Sequence, residues 1–213
     1  MKIAEIFKSI SGECNGLHQG VVTTFIRTQN CNLLCSYCDT KETQGDGGTV
    51  LNLDQILTQL DYLGCKVVCI TGGEPLIQMK ELVRLCKLLK HEGYKIIIET
   101  NGTISPIPLL PYTDSIVMDY KFEYEDKMDI SRFLGLTEKD VIKFCIRDSE
   151  MYRAIHIQNL LLKSKCCAMF AYSPIIDWKT NPIDHTYFVN NLISMNNNSC
   201  IFSLQIHKFI GVR

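Results

Sequence analysis

The sequence predicts an α/β fold: a mostly parallel sheet with helices packed outside it, built as a partial, open TIM-like barrel or as a doubly wound sheet. Strand-like and helix-like runs alternate along the chain, the pattern of parallel strands joined by crossover helices. Six or seven strand-like runs within 213 residues fall short of a closed eight-stranded barrel, which typically needs about 250. Apolar residues make up 46% and charged residues 21%, ordinary globular proportions. A chain of this length buries a core without disulfide staples and reads as one domain over residues 1–213.

The elements follow from local pattern. Residues 21–27 (VVTTFIR) are rich in β-branched and aromatic side chains and read as a strand. Asn52-Leu53-Asp54-Gln55 resembles a capping box, after which Leu53, Ile56, Leu57 and Leu60 share a helical face. Residues 66–71 (KVVCIT) form a second buried strand. Residues 80–91 form a helix ended by Gly93, with Leu82, Leu85, Cys86 and Leu89 on one face. Further strands are expected at 95–100 (KIIIET), 115–118 (SIVM), 141–146 (VIKFCI), 168–172 and 200–207 (CIFSLQIH). Helices are expected at 150–162, capped by Ser149, and at 185–195 behind Asp184. Gly45 to Gly48 reads as a flexible loop, and the three prolines of 105–111 forbid a long helix. In either α/β architecture the active site lies at the carboxyl ends of the strands.

Composition narrows the function classes. Lys plus Arg is 22 and Asp plus Glu 23, a net charge of −1 that gives no global attraction to nucleic acid or an anionic membrane. Lys2, Glu5 and Lys8 interrupt any signal-peptide core, and no run is long enough to span a bilayer. Among eleven cysteines, Cys65, Cys69, Cys86, Cys145, Cys166, Cys167 and Cys200 lie mostly in apolar segments and read as buried, reduced thiols acting as small hydrophobes. A reducing, cytoplasmic setting is expected.

Cys31, Cys35 and Cys38 differ from those seven. They form a C-x3-C-x2-C run on a polar loop just after the first predicted strand. Three thiolates on one loop suit a [4Fe–4S] cubane and leave one iron open. An open iron accepts the amino and carboxylate groups of S-adenosylmethionine, and the hard chemistry then belongs to the cofactor. The competing assignment is structural zinc, which wants four ligands and offers Cys14 or His18 as the fourth, with no second C-x2-C pair.

This spacing, with aromatic Tyr37 before the last cysteine, resembles the radical S-adenosylmethionine superfamily. Thr71-Gly72-Gly73-Glu74-Pro75 resembles its GGEP element, where glycines admit close backbone approach. Glu99-Thr100-Asn101-Gly102 resembles a further cofactor contact at the end of the next strand. The amino-terminal Ile6-Phe7-Lys8-Ser9-Ile10-Ser11-Gly12-Glu13 is similar to the IFxSIQGEG segment of the 7-carboxy-7-deazaguanine synthase family, with Ser11 in place of Gln and Cys14 in place of Gly. Cys38-Asp39-Thr40, Asp119-Tyr120-Lys121, Tyr172-Ser173-Pro174 and Leu204-Gln205-Ile206-His207-Lys208 also match family elements, so the resemblance spans nearly the whole chain.

The resemblance implies a radical S-adenosylmethionine core that contracts 6-carboxy-tetrahydropterin to a 7-deazapurine on the route to queuosine. It implies S-adenosylmethionine contacts from Tyr37, Cys38, Asp39, Gly73, Glu74 and Asn101, and from Asp119, Tyr120, Lys121, Ser173 and Pro174. It implies magnesium at Thr40, completed by the substrate carboxylate. Ser11, Gly12, Glu13, Arg27, Thr71 and His207 are the implied substrate residues. A Glu13 carboxylate suits the adjacent N–H donors of a pterin edge, and Arg27 suits the substrate carboxylate. The family also implies a homodimer and an external flavodoxin- or ferredoxin-like electron donor. Three other functions carry some of these features: an activase that installs a glycyl radical on a partner polypeptide, a zinc-binding interaction module, and a diverged family member with another pterin-like substrate, which Ser11 and Cys14 keep open.

Overall fold

The protein is described from a computed structural model, over residues 1–175, 185–195 and 200–212. Strand β1 (Lys2–Ile10) runs antiparallel to β2 (Val22–Thr28) and to the short β3 (Thr49–Val50). Then follow α1 (Leu53–Leu63), β4 (Val67–Gly72), α2 (Met79–His91), β5 (Lys95–Thr100), β6 (Ser115–Asp119), β7 (Val141–Ile146), α3 (Met151–Lys163), β8 (Met169–Pro174), α4 (Thr186–Ser194), β9 (Cys200–Phe202) and α5 (Ile206–Ile210). Among the described residues they form one sheet of order β3-β1-β2-β4-β5-β6-β7-β8-β9.

From β2 to β9 every neighbouring pair is parallel, and the strand order follows the chain. A doubly wound sheet reverses its order at a switch point. Among the described strands β2 to β9 no reversal occurs, and β3 and β9 at the two ends of the sheet do not pair, so the fold is the open, partial TIM-like barrel.

The sheet has two unlike faces because successive side chains alternate. Val68, Ile70, Ile96, Ile98, Ile116, Met118, Ile142 and Phe144 point to the helices, where Ile56, Leu60, Leu82, Leu85, Leu89, Ala154 and Leu161 complete the main core. Each fully buried Leu there stabilises the fold by roughly 1.5–3 kcal/mol. The other face carries Phe25, Cys69, Ile97, Val117 and Val141, a smaller apolar layer. Two residues further along the same strands come Arg27, Thr71, Glu99, Asp119 and Lys143. The concave face thus turns from apolar to charged at the carboxyl ends of five strands.

Several sequence expectations shift. No strand is expected before residue 21, yet Lys2–Ile10, which carries the start of the family-like segment, forms β1, the longest of the described strands. The 200–207 run is a strand only to Phe202, and Gln205 then leads into α5. Helix α3 starts at Met151, with Glu150 at its cap position, so Ser149 lies in a preceding 3-10 turn. The Asn52–Gln55 capping box is present with both bonds made. Asp184 lies outside the described residues.

Candidate active site

One cavity of about 660 Å³ opens at the carboxyl ends of the parallel strands. Cys31, Cys35 and Cys38 line it from the loop that follows β2. No disulfide engages them. Burial raises the Cys31 thiol, and pushes Cys35 up to about 11. Asn101, just beyond β5, donates its amide N–H to Cys31 Sγ at 3.7 Å and to Asn32 Oδ1 at 2.9 Å. Tyr37 turns inward, with the Lys121 ammonium 5.3 Å from its ring centre.

The Gly72-Gly73 turn after β4 serves the root of this loop. Gly73 N–H donates to Thr28 O at 2.9 Å and Glu74 N–H to Asn30 O at 2.8 Å. A Cβ on Gly73 would lie 2.0 Å from Asn30 O, so only glycine admits this approach. The Glu74 carboxylate points away from the cavity and is fully buried. It accepts from Leu76 N at 2.9 Å, Thr100 Oγ1 at 2.8 Å and Asn101 N at 2.7 Å. Burial outweighs these bonds and pushes its carboxyl up to about 7.

Beside the loop, at the carboxyl ends of the strands, lies the charged layer. The Lys143 ammonium on β7 pairs with Glu13 and, at 3.3 Å, with Asp119 on β6. Lys121 pairs with the other Asp119 oxygen at 2.5 Å. Burial opposes ionisation of Asp119, but the two ammonium groups overcome it and lower its pKa. Burial also disfavours both lysine cations, and Asp119 reverses that effect and raises them. Glu99 accepts from Thr71 Oγ1 at 2.8 Å; burial raises its carboxyl, and nearby Glu13 adds to the shift.

The carboxyl-terminal segment closes the same wall. Gln205 donates to Glu13 Oε1 at 2.5 Å, and Lys208 pairs with Asp39 at 2.8 Å. Burial opposes the Asp39 anion, yet Lys208 holds its pKa below the usual value. His207 sits against Gly12, where an added Cβ would lie 1.8 Å from Nδ1. Burial lowers the His207 pKa, which favours the neutral ring. Thr40 lines the cavity with its hydroxyl 3.8 Å from Cys38 Sγ.

The cavity therefore gathers Gly12, Glu13, Arg27, Cys31, Cys35, Tyr37, Cys38, Asp39, Thr40, Thr71, Gly73, Asn101, Asp119, Lys121 and His207. Five expected contacts do not line it. Ser11 is buried in the loop after β1, accepting from Asn15 Nδ2 at 2.6 Å. Glu74 lies beneath the site. Tyr120 points to the helix side, among Phe122, Phe133 and Phe144, because it directly follows Asp119 at the end of β6 and continues the strand's alternation. Ser173 and Pro174 are buried within β8, and Ile175 reaches the cavity instead. Lys143, Glu99, Cys145, Gln205 and Lys208 line the cavity and were not singled out from sequence as site residues. A lysine inside the apolar run 141–146 was the available signal, since a buried ammonium needs a paired carboxylate.

Three cysteine thiols around one cavity, with polar groups opposite, fit a cubane and a zwitterionic ligand. Among the described residues, no set of three or more His, Cys, Asp and Glu side chains converges as a single metal ion requires.

The radical SAM superfamily model matches residues 25–112. The chain is 36% identical over 214 residues to a 7-carboxy-7-deazaguanine synthase of Methanospirillum hungatei, covering all of this chain and 86% of the relative. It is 35% identical to the synthase of Clostridium acetobutylicum, over 98% of this chain and 95% of that one. Among solved structures, QueE from Escherichia coli aligns with a TM-score of 0.74 at 22% identity, over 95% of this chain and 92% of that one. Streptococcus suis SuiB bound to S-adenosylmethionine aligns with a TM-score of 0.55 at 16% identity, over 82% of this chain and 44% of that one. With its cysteine loop, its open parallel sheet and full-length relatives above 30% identity, this chain belongs to the 7-carboxy-7-deazaguanine synthase family of radical SAM enzymes.

Proposed function

We propose that the chain, acting as one domain over residues 1–213, converts 6-carboxy-5,6,7,8-tetrahydropterin to 7-carboxy-7-deazaguanine with loss of ammonia, a step of queuosine synthesis. One observation carries this. The cysteine loop and the Glu13–Arg27–His207 wall line a single cavity of about 660 Å³, a small-molecule volume. When bound, a [4Fe–4S] cluster and S-adenosylmethionine supply the electron and the radical that removes a hydrogen atom from the substrate.

The chain's own residues bind and orient. Cys31, Cys35 and Cys38 hold three corners of the cluster, and Asn101 donates to the Cys31 sulfur, a contact that tunes such clusters. The Gly72-Gly73 turn, Asp119 and Lys121 offer peptide groups and opposite charges to the amino-acid end of S-adenosylmethionine. Glu13 is engaged by Lys143 and Gln205, yet a carboxylate has about four lone-pair sites, so it still accepts from the pterin edge. Arg27 faces the substrate carboxylate. His207 closes the wall as a neutral ring. Thr40 offers magnesium one hard oxygen, which suits an ion that keeps most of its shell as water and substrate oxygens.

Family membership supports an external flavodoxin- or ferredoxin-like donor, a homodimer and a cytoplasmic setting. No helix among the described residues is long and apolar enough to cross a membrane. Anaerobic turnover with S-adenosylmethionine, magnesium and carboxytetrahydropterin tests the proposal. An ultraviolet-absorbing deazapurine, formed without stoichiometric loss of S-adenosylmethionine, is the expected result. Stoichiometric S-adenosylmethionine cleavage without that product, coupled to a glycyl radical on a partner polypeptide, is the result an activase gives.

A further inference from the structure

Arg27 is held in place from β1. The β1–β2 register shifts between Ile3 and Glu5, so Ala4 is the extra residue of a β-bulge. Continued without the bulge from the Ile3–Thr28 pair, the register would set Ala4 opposite Arg27. With the bulge, Glu5 stands there. Glu5 Oε1 accepts from Arg27 Nη1 at 2.5 Å, and the two side chains are 19% and 17% exposed. Two residues along the same face, Phe7 stacks on Phe25 with ring centres 5.3 Å apart. The Arg27 guanidinium carbon lies 5.0 Å from the Phe7 ring centre. Arg27 Nε is buried and has no hydrogen-bond partner among the described residues. Arg27, Phe7 and Phe25 line the cavity.

We propose that Glu5 is a positioning residue for substrate selection, placed by the bulge at Ala4. It engages the guanidinium at Nη1, and the Phe7 face fixes the plane. The rest of the guanidinium is left for the cavity that Arg27 lines, where a carboxylate meets the planar fork geometry that arginine favours. Because Glu5 already neutralises Arg27, the pocket gains little from charge alone. It selects an anion that fits the open edge. This rests on Arg27 being the partner of the substrate carboxylate.

Both layers are tested on reconstituted enzyme with Glu5→Gln, Glu5→Asp and Arg27→Lys. The readouts are KM and kcat for carboxytetrahydropterin, S-adenosylmethionine affinity, and the binding ratio of 6-carboxypterin to pterin lacking the carboxylate. Glu5→Gln is expected to raise KM for the carboxylated substrate roughly ten-fold, as loss of a charge-assisted contact does. S-adenosylmethionine affinity stays unchanged and the carboxypterin preference falls. Glu5→Asp, which keeps the charge and withdraws it by one methylene, gives a smaller loss, and the Glu5→Gln/Arg27→Lys double variant loses little beyond Arg27→Lys alone. A carboxylate preference lost in Arg27→Lys but intact in Glu5→Gln and Glu5→Asp overturns the role of Glu5 while leaving that of Arg27. A preference intact in Arg27→Lys removes the substrate assignment of Arg27 and the role of Glu5 with it.

Discussion

Glu74 Oε2 accepts the backbone N–H of Asn101 at 2.7 Å, and this bond ties the turn after β4 to the end of β5. Asn101 in turn reaches Cys31. A fully buried carboxylate thus sets the height of the cysteine loop without touching the cavity. Glu74→Gln turns an amide donor toward one of three donors that now face acceptors. It should destabilise the protein by about 1–3 kcal/mol in urea denaturation, the cost of an unsatisfied buried polar group.

The same residue predicts a pH dependence. Its folded carboxyl is raised to about 7 from an ordinary 4.5. The folded chain therefore binds this proton more tightly than the unfolded chain. The resulting stability is fully present below 4.5 and is lost as the pH rises to about 7. Urea midpoints of the metal-free protein across that window should fall with rising pH more steeply than those of Glu74→Gln.

Gly12→Ala should separate cluster loading from turnover. The new methyl meets His207 Nδ1 and must push the carboxyl-terminal segment off the cavity wall. Cluster absorbance after reconstitution stays at the wild-type level, because the cysteine loop is held at its root by the Gly73-Glu74 turn and by Asn101 and, among the described residues, touches the carboxyl-terminal segment only through Asp39. Turnover falls at least ten-fold, as misplacement of a binding wall by about 1 Å can cost a hundred-fold.

Lys143→Met leaves the carboxylates of Glu13 and Asp119 without their shared ammonium. Removing one partner of a buried ion pair costs about 3–5 kcal/mol. Thermal or urea denaturation should show a loss of that size. Lys90→Met is the control, because Lys90 is an exposed partner of Asp114 and is worth at most about 1 kcal/mol.

Sequence pattern made the parallel core legible because its strands are buried on both faces. The runs at β5 and β7 match the observed strands residue for residue, and the Asn52–Gln55 box marks the start of α1. Strand β1 escaped because most of its side chains are half-buried, so its charges masked the pattern. The 200–207 run misled because Ile206 and His207 continue an apolar alternation that α5 uses differently. Within the site, the cysteine spacing and the glycine pair were legible, since both are local. The Glu13–Lys143–Asp119 and Asp39–Lys208 pairs join residues far apart in the chain, and spacing carries no trace of them. Tyr120 and Glu74 lie within matched motifs but turn from the cavity, because alternation along a strand or burial in a turn sets their direction.

Anaerobic reconstitution followed by electron paramagnetic resonance of the reduced protein, with and without S-adenosylmethionine, tests the three-thiolate cluster most directly. The prediction is about four irons and four sulfides per chain, with a reduced-cluster signal that changes when S-adenosylmethionine is added. Cys31→Ala, Cys35→Ala and Cys38→Ala each abolish that signal, while Cys167→Ser, at an exposed thiol, preserves it. A signal that ignores S-adenosylmethionine, or one that survives loss of any of the three cysteines, contradicts the assignment.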